Sequence, residues 1–159
     1  MRYRIGFGYD IHRLEKGNPL WVGGVLISNE IGATGHSDAD VLIHAVCDGL
    51  LGAAGLRDIG FQFPDTSPEY KGISSKILLE KVLESVEEKG YRVEQVDSTV
   101  CLEFPKISDH IESIRKSLAS VLHIPADDVS VKATTKEQLG AIGRGEGIEA
   151  YAVVLLAMG

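Results

Sequence analysis

The chain has only two cysteines, Cys47 and Cys101, and no C-x-x-C pair, so it can build neither a disulfide framework nor a cysteine-rich structural zinc site. Both lie in apolar runs, where buried, reduced thiols of a cytosolic protein are the default. No apolar run approaches the roughly 18 residues needed to span a membrane. The opening MRYRIGFGYD has neither the charged-then-apolar pattern of a signal peptide nor the Arg/Ser-rich character of a transit segment. Positive charge is short: 16 Lys and Arg against 23 Asp and Glu leave a formal net charge of −7, which argues against nucleic acid or an anionic membrane as partner. Nothing fits the G-x-x-x-x-G-K-[ST] phosphate loop, GRGEG at 143–147 falls short of G-x-G-x-x-G, and no G-x-S-x-G elbow occurs. Neither cysteine has a neighbouring base, so covalent catalysis is not indicated. No repeat, low-complexity tract or linker divides the chain, and residues 1–159 are expected to form one domain.

What is present is ordinary globular material, 44% apolar and 25% charged, with enough chain for a proper core. Residues 2–9 alternate, placing Tyr3, Ile5, Phe7 and Tyr9 on one side of a half-buried strand that runs into Asp10 and His12 at its end. Residues 20–28 read as a strand pair or a bulged strand turning at Gly23-Gly24. Between Gly35 and Gly55, the stripe Ile43, Val46, Cys47, Leu50 and Ala54 predicts a core-packed helix, capped by Ser37 or Asp38 and stopped by Gly55. Asp40, His44 and Asp48 recur every fourth residue along another face. Residues 56–73 carry two prolines and the aromatics Phe61, Phe63 and Tyr70. Structureless connections beyond about 12–15 residues are usually functional, so this segment is expected as a binding loop or lid. There follow a serine-capped helix from Ser74 or Ser75 to Gly90, a strand over 91–104 ended by Pro105, and a helix from Ser108 through Leu122. A strand over 129–135, a glycine-rich turn at 139–147 and a strand over 148–158 complete the chain. The last strand is apolar on both sides, so one face should be covered by the chain's own helices and the other by a second copy. The order predicts an α/β (α+β type) domain, a mixed sheet of about four to five strands with helices on one face.

Asp10 and His12 project together from extended backbone. With His44 they make a two-His, one-carboxylate set, and three protein ligands with an open fourth position is the catalytic arrangement of zinc. Ordinary hydrogen-bonded side chains are the competing reading. His36 and Ser37 precede a helix N-terminus, where free N–H groups and the dipole favour an anion. Thr134-Thr135-Lys136-Glu137 offers hydroxyls with a carboxylate. A solvated polar face, a plain strand end and, around Arg144, a tight turn are the alternatives at these points.

GYDIHR at 8–13, GHSDADVLIHAVCDGLLGAAG at 35–55, DIGFQFPDTSPEYKG at 58–72, VKATTKEQLG at 131–140 and GRGEGI at 143–148 stand in the order and spacing of one family and cover nearly the whole chain. The sequence resembles the 2-C-methyl-D-erythritol 2,4-cyclodiphosphate synthases of the non-mevalonate isoprenoid pathway. The resemblance implies a cytoplasmic, bacterial-type catalytic domain that assembles as a homotrimer around packed sheets, with active sites at subunit interfaces. It implies a lyase acting on a nucleotide: the 2-phosphate of 4-diphosphocytidyl-2-C-methyl-D-erythritol 2-phosphate attacks the β-phosphorus, and CMP leaves. By position, Asp10, His12 and His44 match the ligands of one Zn2+ per subunit, and Glu137 matches a ligand of Mg2+ or Mn2+ on the diphosphate. His36 and Thr135 match catalytic groups around the phosphates, accompanied by Ser37, Thr134 and Lys136. Asp58, Gly60, Phe63 and Asp65 match the loop over the ribose or erythritol. Pro105 and Lys106 match a cytosine pocket lent by a neighbour, and Arg144 joins the substrate contacts. An isoprenoid diphosphate along the trimer axis is a further implied partner. Ala141 departs from the aromatic often found there, so no contact is carried over to it. Two other readings compete: a metal-dependent nucleotide phosphohydrolase with water as nucleophile, and a non-catalytic trimer that binds an isoprenoid diphosphate. Asp48 either orients a ligand imidazole or, like Asp40, is structural.

This chemistry answers the shortage of positive charge. Phosphoryl transfer needs positioning and charge stabilisation more than covalent help, and a phosphate monoester carries about −1.5 to −2 charges. Two cations, an imidazole and a helix N-terminus would supply locally what the net charge denies. Nucleophile and electrophile share one molecule, so folding it back can reach effective molarities of about 10⁵–10⁸ M. Water is the competing nucleophile, and the loop over 58–72 is expected to exclude it.

Overall fold

The first strand is longer than its alternation suggests, and it frames the molecule. In the computed structural model, which describes residues 2–159, β1 spans Tyr3–Lys16. Asp10 and His12 therefore lie inside a strand, opposite Ala150 and Ile148, rather than at a strand end. The hairpin of β2 (Leu20–Val22) and β3 (Val25–Ser28) turns as expected at Gly23-Gly24, both with positive φ, and the short β4 (Ile31–Ala33) returns against β1. Then come α1 (Val41–Ala54), α2 (Ile59–Gln62), α3 (Ser75–Glu88), β5 (Tyr91–Cys101), α4 (Ile111–Leu122), β6 (Val129–Thr134), α5 (Gly140–Gly143) and β7 (Gly147–Met158). The five-stranded sheet has the order β4-β1-β7-β5-β6, parallel only between β5 and β6. It is a mixed α+β domain, with α1 packed on β1 and β7, α3 on α1, and α4 on β6. Among the described residues no helix is long and apolar enough to cross a membrane.

The alternation of β1 left open which of its sides the helices cover. Tyr3, Ile5, Phe7 and Tyr9 face away from the helices, with Ile5 74% and Phe7 61% exposed. The side against α1 is glycine. A Cβ at Gly6 would sit 1.8 Å from the Gly49 carbonyl oxygen, and one at Gly8 would sit 1.7 Å from that of Ala45. Helix and strand thus meet backbone to backbone, which only glycine permits. On β7, Ile148, Ala150, Ala152, Val154 and Leu156 are buried beneath the helices while Val153, paired with Phe7, is exposed. The outer side of β1 is apolar and uncovered by the rest of the chain.

The start of α1 also differs from expectation. Asp40, not Ser37 or Asp38, is the N-cap, its Oδ1 accepting from Ile43 N at 3.0 Å. The same carboxylate accepts from Gly23 N at 2.9 Å and Gly24 N at 2.7 Å, so it clasps the hairpin turn to the helix. Burial pushes its pKa up, against the pull of these N–H groups. Gly55 ends the helix in the left-handed conformation, as expected. The expected lid has order of its own, in α2 and a 3₁₀ turn at Pro68–Tyr70. β5 stops at Cys101, short of the cis Phe104-Pro105 bond, and the segment after Ser108 begins as a 3₁₀ turn before α4.

Candidate active site

Because α1 rests on bare backbone at Gly8, His44 in its first turn reaches Asp10 across the strand. Asp10 Oδ2 lies 2.8 Å from His12 Nε2 and 3.1 Å from His44 Nδ1, and the two imidazole nitrogens are 3.2 Å apart. All three half-buried groups offer ligand atoms within 4.8 Å of one another; no other His, Cys, Asp or Glu group of three converges so among the described residues. The second nitrogen of each imidazole is tied: His12 Nδ1 to the Thr34 carbonyl at 3.2 Å, His44 Nε2 to Ser75 Oγ at 2.9 Å and Ser37 Oγ at 3.1 Å. Two outwardly anchored imidazoles and one carboxylate fit a tetrahedral divalent ion with one position open. Burial works to raise the Asp10 carboxyl, but hydrogen bonds from His12 and His44 prevail and hold it down at about 2. Burial works to lower His44, and the Asp10 carboxylate more than reverses this.

A cavity of about 240 Å³ opens beside this group, with His12, His36, Ser37 and His44 on one wall and Gly60, Phe63 and Asp65 on the other. Tyr70 and Leu78 also line it and were not foreseen as site residues; Phe63 and Tyr70 meet edge to face at 5.3 Å. The loop is stitched to the segment before α1. Gly72 N donates to His36 O at 2.8 Å, Asp38 N to Ile73 O at 3.1 Å, and His36 Nε2 lies 3.3 Å from Ser67 O. Asp58 is exposed and caps α2 by accepting from Phe61 N at 2.8 Å. Asp48 accepts from Ile59 N at 2.8 Å, so its role is structural: it seats α2, while the outer nitrogen of His44 lies within reach of Ser75 and Ser37.

Pro105, Lys106, Thr134 and Thr135 line a separate cavity of about 200 Å³ that shares no lining residue with the first. Lys136 turns to the outer sheet face, its Nζ 2.6 Å from Glu149 Oε1, while its backbone N–H donates to Glu103. Glu137 is exposed with φ 52° and stands outside the Asp10–His12–His44 group. Arg144 is exposed and paired with Glu146 at 2.6 Å. Ala141 borders a small cavity of about 180 Å³ next to His12 and Arg13.

Ser75 and Asp38 were missed as site residues. Ser75 stands at the start of α3, where a serine reads as a cap. In fact Ser74 occupies the N-cap position without a side-chain bond, and Asp38 caps the helix from outside by accepting from Ser75 N at 2.9 Å. Only the tertiary contact reveals this; the sequence carries no signal for it.

Comparison with known proteins adds the relatives. The YgbB family profile matches residues 3–157. A 2-C-methyl-D-erythritol 2,4-cyclodiphosphate synthase of Bacteroides fragilis is 56% identical over 156 residues, 98% of each chain. Among solved structures, the bifunctional IspDF of Campylobacter jejuni superposes with a TM-score of 0.96 at 37% identity, over 99% of this chain and 43% of that one. A 2C-methyl-D-erythritol-2,4-cyclodiphosphate synthase in its CDP-bound form superposes at 0.90 with 40% identity, over 97% of this chain and all of that one (100%).

Proposed function

The chain belongs to the YgbB family, and from that premise we propose that it is a lyase of the non-mevalonate isoprenoid pathway, converting 4-diphosphocytidyl-2-C-methyl-D-erythritol 2-phosphate to 2-C-methyl-D-erythritol 2,4-cyclodiphosphate and CMP. The observation that carries this reading is the convergence of Asp10, His12 and His44 on the wall of a cavity that the 58–72 loop closes opposite.

Asp10, His12 and His44 would hold Zn2+, and Glu137 would hold Mg2+ or Mn2+; when bound, the ions would supply positive charge to phosphate oxygens. Everything else falls to the chain. His36 and Ser37, on the same cavity wall, donate to the phosphates, and Thr135 with Thr134 steadies the group being transferred. A 2-phosphate oxygen forms the new bond to the β-phosphorus, the bond from that phosphorus to the bridging oxygen breaks, and this oxygen leaves with CMP. Gly60, Phe63 and Asp65, with Asp58 at the start of α2, cover the erythritol or ribose and keep water from the same phosphorus. Pro105 and Lys106 take the cytosine. Lys136 and Arg144 complete the assigned substrate contacts.

A homotrimer suits these facts. The two cavities share no lining residue within one chain, which suits a site completed across a subunit interface, and the apolar outer side of β1 suits a cover. Cytoplasmic location and an isoprenoid diphosphate on the trimer axis belong to the same reading. Phosphorus NMR of the reaction decides it: a cyclic diphosphate with equimolar CMP is expected, a linear product would mean hydrolysis, and no CMP at all would mean a binding protein. Asp10→Ala and His44→Ala are expected to abolish turnover and to lose zinc by elemental analysis.

A further inference from the structure

Two serines lie within reach of the outer nitrogen of His44, Ser75 Oγ at 2.9 Å and Ser37 Oγ at 3.1 Å, and distance alone hardly separates them. Counting protons does. His44 Nδ1 faces Asp10 and must offer a lone pair to a ligated ion, so Nε2 carries the proton and needs an acceptor. Ser75 is free to accept because its own hydroxyl proton goes to the Asp38 carboxylate in a short hydrogen bond, beside the backbone N–H of Ser75 on the other carboxylate oxygen at 2.9 Å. An ionised carboxylate can only accept, so the direction of the chain is fixed from His44 through Ser75 to Asp38. Ser75 is fully buried at 0% exposure. Asp38 is held in place: its Oδ1 accepts from Asp40 N at 3.2 Å and its N–H donates to Ile73 O. Ser37 differs in each respect. It lines the cavity, its Oγ already accepts from Ala39 N at 3.2 Å, and its contact to Ser75 Oγ, at 3.5 Å, is the longest of the group.

We propose that Ser75 and Asp38 are positioning residues for the reaction: the hydroxyl–carboxylate pair fixes the tautomer and ring plane of His44 so that Nδ1 faces Asp10, leaving the Ser37 hydroxyl free for substrate. The proposal rests on the metal reading of Asp10, His12 and His44. It makes the start of α3 part of the metal site, although no residue of α3 is a ligand.

The test is zinc affinity of the full chain by chelator competition, with nitrogen NMR of the imidazoles in zinc-free protein as a second readout. Ser75→Ala should weaken zinc binding by about 10- to 100-fold, the usual cost of losing a ligand's outer partner. Ser37→Ala should leave zinc affinity unchanged while lowering kcat/KM. Asp38→Asn reverses the polarity. An amide has one acceptor oxygen; kept on the backbone N–H of Ser75 at 2.9 Å in preference to that of Asp40 at 3.2 Å, it sets the NH2 toward Ser75 Oγ and turns the hydroxyl proton toward His44 Nε2. The zinc-free variant should then show His44 protonated on Nδ1, the form that cannot ligate. Because Asn keeps the cap on α3, this variant carries the test even if Ser75→Ala fails to fold. Wild-type zinc affinity in the folded variants, with His44 protonated on Nε2 in Asp38→Asn, overturns the proposal alone. A wild-type chain that takes up no zinc overturns the metal reading beneath it.

Discussion

Replacing Gly8 with alanine should pull the proposed metal ligands apart without altering any of them. The new Cβ would lie 1.7 Å from the Ala45 carbonyl oxygen and 2.8 Å from Gly49 N, both backbone atoms that cannot rotate away. Side-chain Cβ atoms essentially never approach closer than 3.0 Å, so α1 must lift from β1 by about 1.3 Å to recover from 1.7 Å. His44 precedes Ala45 directly and Asp10 lies two residues from Gly8. If the lift runs along their contact, its 3.1 Å becomes about 4.4 Å. Overpacking of this kind costs roughly 1–3 kcal/mol, and a backbone partner puts it at the upper end. Misplacement by about 1 Å can cost about 10²-fold in turnover. Gly6→Ala is the matched control: its clash with the Gly49 carbonyl, at 1.8 Å, is as severe but falls one helical turn further from His44. Thermal melting and chelator-competition zinc affinity of both variants read the outcome. Both should lose stability, and Gly8→Ala should lose far more zinc affinity. Equal zinc affinity in the two variants at equal destabilisation would refute the idea that glycine sets the ligand spacing.

Three further outcomes can be checked. Asp40→Asn must set an NH2 against a backbone N–H, since Oδ1 serves Gly23 and Ile43 while Oδ2 serves Gly24, and denaturant unfolding should show a loss of about 1–3 kcal/mol. Gly52→Ala, at an exposed helical position with open space around it, should gain about 0.5–1 kcal/mol and keep activity. Burial works to raise the Glu149 carboxyl, but hydrogen bonds from Lys136 and Tyr9 hold it below the ordinary glutamate value. Its stabilisation is therefore present above that ordinary value and lost as pH falls through the depressed one, so Glu149→Gln should flatten the acid limb of the melting temperature against pH.

Asp10, His12 and His44 were legible as a candidate set because D-x-H and a histidine on a helix flank are local patterns, and the order and spacing of the whole motif set resembled one family. The partners of those ligands were not. For β1, alternation shows that two sides differ but not which one the helix covers. Gly6 and Gly8 decide that, and their meaning appears only with Gly49 and Ala45 opposite. Asp40 looked like one member of a polar face; it is the cap of α1 because Gly23 and Gly24, in a distant hairpin, bring their N–H groups to it. Cavities lined by different stretches of chain, such as those holding His36 and Thr135, are likewise joined or separated by tertiary placement alone.

The ligand group also has a thermodynamic consequence. His12 and His44 are 32 residues apart in the chain, and they meet only once α1 has docked on β1. An ion that binds this arrangement and not the unfolded chain stabilises the fold by mass action, about 2.7 kcal/mol when free metal stands at 100 times its Kd. The melting temperature then becomes a gauge of the free ion. A cell starved of the metal would hold the same polypeptide in a softer, more readily degraded form, and the supply of metal would set the amount of enzyme as well as its activity.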